Sequence, residues 1–187
     1  LSAERALLAL QGPRSLDILL GLIEENHPFR ETLLDMKRNQ VVHGRLAGHD
    51  LYLARTGYTG EPTAFEIFVH PAAAPALWHT LLEEGERFGL VPVGLGARDS
   101  LRIEAGLPLN GHELAGPLDL NPADAGFSPY VKLYKPFFVG KAPYVVHERE
   151  RQARLIRFRF DEERAGMPRQ GDVVVNRKGR VVGAVTS

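Results

Sequence analysis

Glu66 is the lone carboxylate in an apolar run, "AFEIFV" (64–69), a few residues after "RTGYTGE" (55–61). Gly57 and Gly60 flank Tyr58 and Thr59, and glycine reaches φ > 0 where other residues are strained. This spacing predicts a tight loop that projects the Tyr58 ring. Side chains alternate along a strand, so a strand over 64–69 puts Phe65, Ile67 and Val69 on one face and Glu66 on the other, with Ala64 and Phe68. The first face reads as core, the second as a partly apolar floor holding one acid.

Two readings of that floor stand side by side. In the first, Glu66 points into solvent from an amphipathic strand and Tyr58 packs across a hairpin. In the second, the carboxylate accepts two parallel hydrogen bonds from a planar N–H/NH2 edge, as it does from guanidinium. The amino-pyrimidinone edge of a pterin carries that donor pair, and a tyrosine ring can pack beside it. "GARDSLRIEAG" (96–106) adds Arg98 and Arg102, four apart on one helix face. A structural account pairs them with Asp99 or Glu104. A binding account uses at least one of them, preferably Arg98 near the helix start, to hold a carboxylate or oxyanion in a crevice.

Other familiar chemistries fail on their spacing. "GHELAG" opens like a zinc-protease helix, but Gly116 stands where the second histidine ligand is needed. "VGLGAR" is a bare GxG, "FFVGKAP" lacks the early glycine and the Ser/Thr of a phosphate loop, and no GxSxG elbow occurs. The seven histidines show no ligand spacing, and with no cysteine there are no thiolate sites and no disulfides.

The elements that must position these residues follow from periodicity. "ALLAL" (6–10) reads as a buried strand, and "QGPRS" opens a helix with Leu16, Leu19, Leu20 and Ile23 on its apolar face. After a short element at "FRETLLDM", 40–47 and 50–55 read as strands broken at Gly48, with 64–70 as another. A second helix covers 72–88 with Leu77, Leu81, Leu82 and Phe88 on its buried side, and a third ends at Gly106. Strands alternating with helices, some adjacent strands able to pair as hairpins, predict an α+β fold with ferredoxin-like strand/helix layers. Residues 113–136 carry loop chemistry, and the charged run "HERERQAR" (147–154) reads as a solvated connector. "RLIRFRF", "GDVVVN" and "GRVVGAVTS" read as short β segments. The expected division is therefore 1–150 and 151–187, the latter the start of a small all-β domain.

With 187 residues, 44% of them hydrophobic, the chain can bury a full core. Lys plus Arg equals Asp plus Glu at 23 each, which argues against a nucleic-acid partner. No apolar run reaches the roughly 20 residues of a membrane span. The expected localisation is cytoplasmic. A start at Leu1 and a stop inside a strand-like run lead to the expectation of a fragment.

"ALLALQGPRSLDIL", "ARTGYTGE" with "FEI", "GLGARDSLRIEAGLPLNGHEL" and "FFVGKAPY" resemble, in the same order, segments of the glycine cleavage system T-protein (aminomethyltransferase) family. The resemblance covers nearly the whole chain. It implies a folate pocket in the larger domain, with Glu66 on the pterin edge and Tyr58 and Arg98 among the pocket residues. The implied activity is transfer of a one-carbon unit from an aminomethyl donor to tetrahydrofolate, with the lipoylated H-protein as donor-bearing partner. The family's catalytic aspartate belongs to a segment expected upstream of Leu1, so this piece alone is expected to be a poor catalyst. The alternative is a non-catalytic folate-binding module, or the folate domain of a demethylase or a sarcosine or dimethylglycine dehydrogenase-like protein. Two departures stand out: "EPTAFEI" is one residue longer than the family's usual passage, and Asn110 replaces a common tyrosine.

Overall fold

Strands β1 (Ala6–Gln11), β2 (Val41–Leu46), β3 (His49–Ala54) and β4 (Ala64–Val69) form an antiparallel sheet in the order β1-β4-β3-β2. The structure is a computed structural model describing residues 4–115, 118–161 and 166–187. It is mixed α/β, and its contacts divide it into two compact units, Leu1–Leu107 and Pro108–Ser187. That division falls earlier in the chain than the boundary expected near residue 150.

In the first unit, alternation along the strands sorts the side chains as expected. Phe65, Ile67 and Val69 are fully buried, whereas Glu66 on the opposite face is half-buried. Helices α1 (Ser15–Gly21), α2 (Pro28–Asp35) and α3 (Ala74–Gly85) cover the buried face. Ile18, Leu19, Phe29, Leu33, Leu77 and Leu81 meet the strand residues in one core cluster. Burying each of the larger side chains contributes roughly 1.5–3 kcal/mol. Close approach is part of this packing: the Phe29 ring lies so near Gly44 of β2 that a Cβ there would meet it at 2.1 Å.

The β2–β3 hairpin turns through two residues, Ala47 (φ 47°) and Gly48 (φ 83°). Positive φ at both positions is the type I′ arrangement, whose twist matches that of the flanking strands. Helix α4 (Leu95–Glu104) ends in a Schellman motif, with Leu107 N bonded to Arg102 O at 2.8 Å and Gly106 N to Ile103 O at 2.8 Å. Gly106 supplies the left-handed residue that this motif needs, at φ 68°.

The second unit is mostly turns, with helix α5 (Lys141–Glu150) and a hairpin of β5 (Val173–Val175) and β6 (Val181–Ala184). Two expectations change here. "RLIRFRF" is not a strand: residues 151–160 have no regular structure, and the single bond from Leu155 N to Asp124 O at 2.9 Å is not continued into a ladder. "HERERQAR" is a solvated connector only in part, with Arg149, Glu150 and residues 152–154 exposed. Its first four residues end α5, and His147 and Arg151 close on the buried Asp124, with Nε2 2.7 Å from Oδ2 and Nε 3.2 Å from Oδ1. Asn121 N also donates to Asp124 Oδ2 at 2.8 Å. A buried carboxylate is expensive unless so paired, which gives this charged run a structural task.

Glu113 of the His-Glu pair accepts from Leu109 N at 2.7 Å, while Gly116 lies outside the described residues. Among the described residues, no group of three or more His, Asp or Glu could hold a metal ion. No helix among them is long and apolar enough to cross a membrane.

Candidate functional site

The loop from Arg55 to Thr63 joins β3 to β4, and nearly every residue in it is tied down. Arg55 anchors its start: its N donates to Gln40 O at 2.9 Å and its guanidinium reaches Met36 O. Thr56 donates its hydroxyl hydrogen to Glu66 Oε2. Thr59 Oγ1 donates to Gln11 Oε1 at 3.0 Å, and Gln11 Nε2 donates to Phe65 O at 3.3 Å, so both ends of that carboxamide are engaged. Thr63 N donates to Glu61 Oε1 at 3.1 Å, and Thr63 O accepts from Ser15 Oγ at 2.9 Å and Gly12 N at 3.1 Å. The extra residue of "EPTAFEI" therefore lies beside a turn fastened to the start of α1.

The two loop glycines serve different purposes. Gly60 has φ 84°, as expected, and a Cβ there would lie 2.6 Å from Ala105 Cβ, so the loop tip rests on the end of α4. Gly57, in contrast to the expectation, is not left-handed. It is glycine because a Cβ would meet Gln11 Oε1 at 2.1 Å and Ala64 Cβ at 2.6 Å.

A cleft of about 580 Å3 opens along the free edge of β1. Tyr58, Glu66 and Arg98, singled out in the sequence, all line it, together with Leu7 and Ala9 of β1, Trp78 of α3 and Leu101 of α4. Glu66 stands between Ala9 and Ala54 in the strand register, and these small neighbours leave space above its carboxylate. Among the described residues Oε1 has no hydrogen-bond partner, while Oε2 holds Thr56. Tyr58 is half-buried.

The two α4 arginines have separated. Arg102 is buried and donates from Nε to Asp99 Oδ1 at 2.7 Å, which is the structural pairing. Arg98 is exposed, and its guanidinium has no partner among the described residues. An unpaired guanidinium and a half-free carboxylate at one apolar cleft suit a ligand with a planar donor edge and an anionic group. The volume lies within the range of pockets for small organic ligands. Sequence reasoning missed Thr56, Thr59 and Gln11. Nothing in a single sequence marks a threonine or glutamine as a partner of a residue on another strand.

Residues 1–135 match the family model described as the GCVT N-terminal domain. The chain belongs to this family. It is 43% identical over its full length to an aminomethyltransferase of Saccharopolyspora erythraea and 42% identical to one of Moorella thermoacetica, covering 48% of each. It also superposes on the crystal structure of glycine cleavage system aminomethyltransferase T from Bartonella henselae with a TM-score of 0.73 at 31% identity. That match covers 98% of this chain and 47% of the Bartonella one. The chain thus spans about half the length of the relatives it matches.

Proposed function

We propose that this chain forms the folate-binding part of a tetrahydrofolate-dependent aminomethyltransferase of the glycine cleavage T-protein type. The observation that carries this reading is the convergence on one cleft of Tyr58 and Glu66, from the loop and strand β4, and Arg98, from helix α4. Family membership and relatives named aminomethyltransferase support the reaction class.

Bound tetrahydrofolate would supply the amine that accepts the one-carbon unit. The chain's own residues would bind and orient. Glu66 would accept from the N–H and NH2 of the pterin edge, Tyr58 would pack beside the ring, and Arg98 would hold a carboxylate or oxyanion. The apolar residues along β1 and α3 would exclude water, leaving positioning as the main contribution of this part.

Several finer readings belong to the same proposal. The lipoylated H-protein is the donor-bearing partner, the compartment is the cytoplasm, and the catalytic aspartate lies on another segment of the full-length protein. Residues 1–150 belong to the folate domain and 151–187 to a following β domain, consistent with the β5–β6 hairpin. The ferredoxin-like layering rests on α1–α3 packing on one face of an antiparallel sheet.

Glu66→Gln replaces an acceptor oxygen with a donor and removes the charge. In the full-length protein it should weaken tetrahydrofolate binding by about 1.5–3 kcal/mol, as measured by titration calorimetry. Equal affinity in variant and wild type means that Glu66 does not contact the ligand.

A further inference from the structure

The loop reaches the Glu66 carboxylate through one side chain, the Thr56 hydroxyl on Oε2. The last torsion of a glutamate is broad and roughly two-fold, so an unbraced carboxylate turns freely about its own axis. Gripping a planar donor pair with two parallel bonds requires the carboxylate plane to be held. Ala9 and Ala54 flank Glu66 across the strands and offer no group to hold it. Thr56 is the hydrogen-bond partner the carboxylate has among the described residues.

We infer that Thr56 is a positioning residue: its hydroxyl fixes the plane of the Glu66 carboxylate so that both oxygens face the cleft ready to accept. An ionised carboxylate offers about four lone-pair directions. Thr56 occupies one on Oε2, leaving a second on that atom and both on Oε1. The donor is itself held, since Arg55 is bonded on one side of it and Gly57 on the other is seated against Gln11 and Ala64. The brace thus turns a rigid loop into a fixed orientation for one acid. This rests on the assignment of Glu66 as the pterin ligand, and the test separates the two ideas.

Thr56→Val keeps the branched shape and removes the hydroxyl, whereas Thr56→Ser keeps the hydroxyl. In the full-length protein, Thr56→Val should raise the tetrahydrofolate Kd about tenfold, and Thr56→Ser should restore most of the loss. In a Glu66→Gln background, Thr56→Val should change the Kd less than about twofold, because the group it orients is gone. A merely structural threonine would cost the same in both backgrounds and would lower the melting temperature, and that pattern overturns the inference. A crystal structure of Thr56→Val gives a ligand-independent readout: a Glu66 carboxylate in its wild-type orientation also overturns it. Should Thr56→Val turn the carboxylate while wild-type protein fails to bind tetrahydrofolate, the positioning role stands and only the folate assignment falls.

Discussion

Gly57→Ala probes whether the loop is seated as tightly as the cleft requires. The new methyl would lie 2.1 Å from Gln11 Oε1 and 2.6 Å from Ala64 Cβ, well inside ordinary van der Waals contact. Gln11 can swing away only by losing its bonds to Thr59 and Phe65 O, at about 0.5–1.5 kcal/mol each. Ala64 cannot swing at all, because its Cβ is fixed to the backbone of β4, paired to β1. Backbone shifts of this kind cost about 1–3 kcal/mol. Together the expected destabilisation is about 2–6 kcal/mol. Urea denaturation of the full-length protein measures it as a lower midpoint at an unchanged slope. The companion Gln11→Ala/Gly57→Ala should recover only the carboxamide's share of the clash. A loss of less than about 0.5 kcal/mol in Gly57→Ala would refute the close seating of the loop, and with it the fixed placement of Tyr58.

Two further outcomes follow from the fold. Asp124→Ala strips His147 and Arg151 of a buried carboxylate and leaves Asn121 N without its acceptor. It should destabilise by about 3–5 kcal/mol, read by thermal or chemical unfolding. Ala47→Asn places a residue tolerant of φ > 0 at the first position of the β2–β3 turn. It should stabilise by about 0.5–1 kcal/mol, seen as a higher melting temperature with tetrahydrofolate affinity unchanged.

Much of the site was legible because it depends on local chemistry. Period-two alternation sets Glu66 opposite Phe65, Ile67 and Val69 whatever surrounds the strand, and Gly106 ends α4 because the turn needs φ > 0. The charged run at 147–154 is legible only in part for a related reason. Its local pattern is that of a solvated surface, and the buried partner, Asp124, lies 23 residues before His147.

Sequence alone determined which face of each element its side chains share, because backbone geometry fixes side-chain direction within one strand or helix. Only the tertiary structure decided which of two equivalent arginines is buried against Asp99 and which is left facing the cleft. It also decided that Gly57 is glycine for lack of room rather than for its torsion angle. Thr59 pairs with Gln11, 48 residues earlier in the chain, and Thr56 with Glu66 across the turn of a loop; both depend on how segments come together, which no local propensity encodes.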